Sequence, residues 1–191
     1  MESEISILYT PITGILFGGC ANDQFCLELN YVDQDIEYTI EKGIPHELNH
    51  LVYEPLHIND PNRGTALRQV IDEGLACFFT WLFFDKNISP AEAVENMTKE
   101  EWTWYLSNEK QIFEQTFEYF DDVSGDNPLL RNDRYKVFPL APKTLYYWLG
   151  FRIIQKYVER NGPESWRDVY ELDIAVVLEK SGYREYIAQL E

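Results

Sequence analysis

Residues that ligate soft metals are scarce in this 191-residue chain, which has three cysteines, three histidines and two methionines. Cys20, Cys26 and Cys77 are odd in number and form no CxxC pair. That leaves no disulfide framework and fits reduced thiols in a cytoplasm. Basic residues are also few: 16 stand against 33 acids, a formal charge of −17. Such a surface repels phosphate backbones and anionic bilayers, so neither nucleic acid nor membrane is an expected partner. The amino terminus, "MESEISILYT", has acids where an export signal needs a basic stretch and a long apolar run. Long hydrophobic runs are missing too. The most apolar stretch, "GLACFFTWLFF" (Gly74 to Phe84), has eleven residues, which suits a buried core helix and is too short to span a bilayer. The chain is therefore expected to be cytoplasmic.

What is present is a composition 45% apolar and 15% aromatic, enough for a real core. No internal repeat, low-complexity tract or long linker divides the chain, so residues 1–191 read as one domain. The first thirty residues alternate between apolar and polar and carry turn or bulge signals at Gly18-Gly19 and Asn22-Asp23, which predicts two or three strands in a small sheet. Helical patterning then takes over. "DIEYTIEKG" is a weak helix closed by Gly43, and a second helix runs from Ile44 to Tyr53 with Pro45 in its first turn. Thr65 caps a long apolar helix through Phe84. Capping boxes at Ser89–Glu92 and Thr98–Glu101 start a short helix and a longer one reaching Phe120. After a polar loop, "DDVSGDNPLLRND", Pro142 opens a helix that Asn161-Gly162-Pro163 stops. Two short helices close the chain, near 163–172 and 174–180. The expected class is α+β: a mainly helical single domain with a small N-terminal β-sheet.

Two of the three histidines fall in "IPHELNH", at His46 and His50, with Glu47 between them. Residues four apart on a helix lie on one face, roughly 6 Å apart along the axis, so two imidazoles can share one ion. Glu47 points elsewhere on the helix and is placed to reach a metal-bound water. A third ligand is offered by Glu73, twenty-three positions after His50 in "VIDEGLACFF". An acid within so apolar a run is costly unless a positive charge compensates it, and zinc would do so. The five-residue motif alone arises by chance about once in two hundred such sequences; the second-helix acid adds the needed context. His46, His50 and Glu73 are the expected metal ligands for one Zn²⁺ per chain. Asp72 either orients a histidine or is solvated, His57 either faces the cleft or sits on the surface, and Cys77 is either a fourth ligand or a buried thiol.

"HELNH" followed by "DEGLA" resembles the gluzincin class of zinc metallopeptidases, closest to a bacterial family of predicted zinc-dependent proteases. "YYWLGFRIIQKYV" (Tyr146 to Val158) and "LEKSGY" (Leu178 to Tyr183) are more loosely similar to that family. Pro45 and Asn49 depart from its usual pattern. The resemblance implies a zincin-like fold with the metal between two core helices, and hydrolysis of a peptide or protein substrate with Glu47 as general base. It also implies a hydroxyl donor to the oxyanion, for which Tyr146 and Tyr147 are the candidates. The alternative is a non-catalytic helical binding protein that keeps a gluzincin-like metal site. A third reading, an interaction module with no metal, requires the motif to be accidental.

Overall fold

The computed structural model describes residues 4–8, 17–20, 24–28, 36–142 and 144–190. Nine α-helices carry the described part of the domain. They are α1 (Ile36–Leu56), α2 (Ala66–Phe83), α3 (Pro90–Ala93), α4 (Lys99–Ser107), α5 (Glu109–Thr116), α6 (Asn132–Tyr135), α7 (Leu145–Asn161), α8 (Ile174–Ser181) and α9 (Tyr183–Gln189). Short 3₁₀ segments follow α5 and α7.

The expected α+β, zincin-like class is corrected. The domain is helical, and every residue of the described core comes from Tyr53 onward, out of helices and the loops joining them. Three short strands, β1 (Glu4–Leu8), β2 (Phe17–Cys20) and β3 (Gln24–Glu28), pair in the order β1-β3-β2. At four or five residues each they are minor beside the nine helices, and the class is mainly helical. Gly18 and Gly19, read as turn or bulge material, lie within β2 opposite Cys26 and Phe25. The turn expected at Asn22-Asp23 lies outside the described residues.

The central element is α2, whose apolar run is buried along nearly its whole length. Its first turn is fully provided for. Thr65 Oγ1 accepts from the Arg68 amide at 3.2 Å. The Ala66 and Leu67 amides donate to the Asp122 and Phe120 carbonyls at 2.8 and 2.9 Å. Those amides would otherwise be orphan donors at a buried helix start. α2 packs against both α1 and α7.

The α2–α7 packing is set by two glycines. A methyl group built on Gly74 would run into the backbone of Gly150, and one built on Gly150 would strike the Val70 carbonyl. The helices therefore touch backbone to backbone. Phe78, Trp148 and Phe151 fill the space on either side of the crossing.

Several expected boundaries move for identifiable reasons. Gly43 does not end a helix: α1 runs straight through it and through Pro45, although the proline supplies no N–H to the carbonyl four residues earlier. The helix expected to reach Phe120 breaks at Asn108, whose side-chain amide donates back to the Trp104 carbonyl at 2.7 Å, competing with the helical ladder. α7 starts three residues after Pro142. Thr144 takes a left-handed conformation there (φ 58°), and the Pro142 carbonyl accepts from the Tyr105 hydroxyl at 2.9 Å. The polar loop dips into the core through Leu129 and Leu130.

At the far end, Gly182 (φ 65°) closes α8 and turns the chain into α9. Glu109, buried at the start of α5, receives Arg152 Nε at 2.8 Å and Nη2 at 3.2 Å. It also receives the hydroxyls of Tyr183 at 2.8 Å and Tyr186 at 3.1 Å. A buried carboxylate with this many donors is satisfied, and it ties α5, α7 and α9 together.

Two stability predictions follow from these contacts. Gly150→Ala gains about 1 kcal/mol of helix propensity but forces the crossing apart, so chemical denaturation should show a net loss of about 2 kcal/mol. Glu109→Ala strands a buried guanidinium and should cost roughly 3–5 kcal/mol in the same assay; a loss below about 1 kcal/mol would contradict the assigned network.

Candidate metal centre

His46 and His50 lie on one face of α1, and Glu73 reaches them from α2. His46 Nε2 is 3.1 Å from Glu73 Oε2 and 3.1 Å from His50 Nε2. His50 Nε2 is 3.3 Å from Glu73 Oε2. Among the described residues, these three form the group of potential ligands that converge on one point. Their side chains keep 13–22% of their surface exposed, so the cluster is partly open to solvent.

The donor set fits a zinc ion. Ligand atoms about 2.0–2.1 Å from a tetrahedral ion stand roughly 3.3 Å from one another. The three atoms here form a nearly equilateral triangle of that size. Two imidazole nitrogens and one carboxylate oxygen are also a donor set that zinc accepts.

The electrostatics of the triangle are those of a place that attracts positive charge. Burial pushes the Glu73 carboxyl up, but hydrogen bonds and charge from His46 and His50 outweigh it and hold the group well below the usual range. Burial pulls the His50 imidazole down, and Asp72 and Glu73 more than reverse that, leaving it well above its ordinary value.

The surrounding residues resolve what the sequence left open. Asp72 Oδ1 accepts from His50 Nδ1 at 2.8 Å, and Asp72 Oδ2 accepts from Arg68 Nη1 at 2.9 Å. Because a carboxylate can only accept, His50 carries a proton on Nδ1, which makes Nε2 the ring nitrogen that faces the triangle. Cys77 is fully buried, and its Sγ faces His46 Nδ1 at 3.9 Å, on the opposite side of the ring from Nε2. That position is a packing thiol's and not a fourth ligand's. His57 is buried, neither in the cleft nor on the surface. Its Nε2 donates to the Tyr170 carbonyl at 3.0 Å, and its ring packs on Tyr53 at 4.3 Å.

Glu47 lies on α1 immediately after His46, half-buried and outside the converging group. Tyr146 and Tyr147 do come to the site from the first turn of α7. Tyr147 stacks on His46, with ring centroids 5.8 Å apart and planes 17° apart, and packs against Tyr146 at 4.6 Å. Burial pushes both hydroxyls up, so both stay neutral. Asn49, between the two histidines, is buried and accepts from the Tyr170 hydroxyl at 2.6 Å. Arg68 was missed by the sequence reading. Its signal was an arginine four residues before an aspartate in the opening turns of an apolar helix.

Residues 36–185 match the family described as gliding motility protein GldB, and the chain belongs to that family. No curated protein and no solved structure matches the chain. Family membership corrects the gluzincin resemblance and, with it, the expected peptidase, hydrolase and metalloprotease activity. The physical reason is that His-x-x-x-His followed by a second-helix acid specifies a chelating geometry; it does not encode what the chelated ion does. The family is one of lipoproteins, which also overturns the cytoplasmic expectation. That expectation rested on the cysteine count, the acidic amino terminus and the lack of a long apolar run, none of which decides a protein's compartment. No helix among the described residues is long and apolar enough to cross a membrane.

The hydroxyl contact on Asn49 can be tested directly. Tyr170→Phe leaves the buried amide oxygen without its donor and should lower stability by about 1–2 kcal/mol in urea unfolding. An unchanged midpoint would show that the contact contributes nothing.

Proposed function

We propose that this GldB-family chain is a zinc-binding, non-peptidase component of gliding motility, in which one ion held by His46, His50 and Glu73 fastens α1 to α2. What supports the reading is the triangle of ligand atoms: three donors of the right chemistry, from two helices, at the mutual spacing of one face of a zinc coordination sphere. Zinc supplies a cross-link between two helices and a positive charge for a partly buried carboxylate. The chain supplies the positions. α1 sets the two imidazoles one helical turn apart, and α2 brings Glu73 to them from the crossing fixed by Gly74.

Elemental analysis of the purified protein should give about one zinc per chain, with Glu73→Ala reduced to near zero. Ion bound at a hundred times its dissociation constant contributes about 2.7 kcal/mol, so chelation should lower the melting temperature of the wild type by roughly 5–10 °C and leave Glu73→Ala unmoved. In gliding cells deleted for their family member, the wild-type chain should restore surface movement and Glu73→Ala should not. A wild type free of zinc after incubation with the ion would reduce the three groups to a hydrogen-bonded cluster. Full rescue by Glu73→Ala would separate the ion from motility.

A further inference from the structure

We infer that Asp72 and Arg68 form a buried positioning pair that holds His50 in its metal-binding tautomer and thereby sets the affinity of the site. The inference rests on the metal reading above and adds a role for two residues outside the ligand set. The series runs across two helices. His50 Nδ1–H donates to Asp72 Oδ1 at 2.8 Å, Arg68 Nη1 donates to Asp72 Oδ2 at 2.9 Å, and the guanidinium lies 4.1 Å over the ring of Tyr53. Tyr53 is fully buried and sits on α1 three residues after His50, on the same face. Arg68 and Asp72 are one turn apart on α2, and Asp72 precedes Glu73. One helix thus provides a ligand to the ion and the carboxylate that orients another ligand.

Stability does not account for this arrangement. The Arg68 and Asp72 side chains are 6% and 12% exposed. An ion pair so enclosed is expensive to desolvate, and apolar residues of similar size do as well or better. Arg68 Nε and the Tyr53 hydroxyl, moreover, are buried with no hydrogen-bond partner, so the pair is not an optimised packing solution. Its geometry does serve His50. With both carboxylate oxygens engaged, Asp72 has one orientation, and the imidazole it accepts from has one tautomer and one plane. Nε2 then points at His46 and Glu73. Fixing the tautomer and plane of a ligating histidine by a carboxylate is worth roughly 10- to 100-fold in metal affinity. The guanidinium fixes the carboxylate in turn, and the Tyr53 face holds the guanidinium.

The test compares the wild type with Asp72→Asn and with the double variant Asp72→Asn/Arg68→Met, which removes the ion pair without stranding either charge. Zinc affinity is read by competition with a chelating dye, and His50 protonation by long-range ¹H–¹⁵N NMR of the zinc-loaded wild type. The expected result is a zinc dissociation constant about 10- to 100-fold weaker in the folded double variant, with a proton on Nδ1 of His50 in the wild type. A purely structural pair would lower the melting temperature and leave the affinity of the folded variant unchanged, which overturns the inference while the metal site stands. Coordination through His50 Nδ1 overturns it as well. A wild type that takes up no zinc removes the metal reading and this inference together.

Discussion

Everything in the domain is arranged around one approach that side chains would forbid, the contact of α2 with α7 at Gly74 and Gly150. At an ordinary interhelical separation the space between the two would be filled by side chains from both. Here the backbones meet, so Trp148 and Phe151 pack beside the crossing instead of within it. The residues flanking the contact are thereby placed without freedom. Glu73 sits next to one glycine. Tyr147 lies about one helical turn before the other and covers His46. The position of the candidate metal centre is a consequence of helix packing, not of a dedicated loop.

A second level of order is polar. Two buried arginines each meet a carboxylate, Arg68 with Asp72 and Arg152 with Glu109, but the two pairs differ in their surroundings. Glu109 collects two tyrosine hydroxyls besides the guanidinium and links three helices. Asp72 spends its second oxygen on a histidine. The first pair is closed on itself and belongs to the fold. The second opens toward the surface through His50 and belongs to the site.

Much of this was legible beforehand. The Thr65 cap, both capping boxes and the stop at Gly162 lie where short-range hydrogen-bonding chemistry puts them, because a cap is decided within three or four residues. His46 and His50 could be paired from helical periodicity, and Glu73 was signalled by an acid standing alone in an apolar run. What escaped was decided at longer range. Pro45 stays inside α1 because tertiary packing outweighs the lost hydrogen bond. Asn108 splits a helix through a side-chain bond that no hydrophobic pattern encodes. α9 went unread because its seven residues show only Tyr183 and Ile187 on a buried face. The α+β class failed because alternation over a few residues says nothing about whether strands amount to a layer. Enzyme class failed for a different reason: ligands and their spacing are written in local sequence, but the use made of an ion is not.

The bond network at Glu109 also bears on the order in which the domain is completed. Its carboxylate and the Arg152 guanidinium are brought together by α5 and α7, while two of the hydroxyls that finish the site come from α9, the last helix described. Lys110 also reaches across to the Leu190 carbonyl at 2.6 Å. Until α9 arrives, two ionised groups have only water to complete their shells, and water cannot be excluded from that end of the core. Closure of the hydrophobic interior at that end is thus coupled to the docking of α9, and a chain in which α9 is undocked carries a solvated charge pair where the folded domain has a buried one.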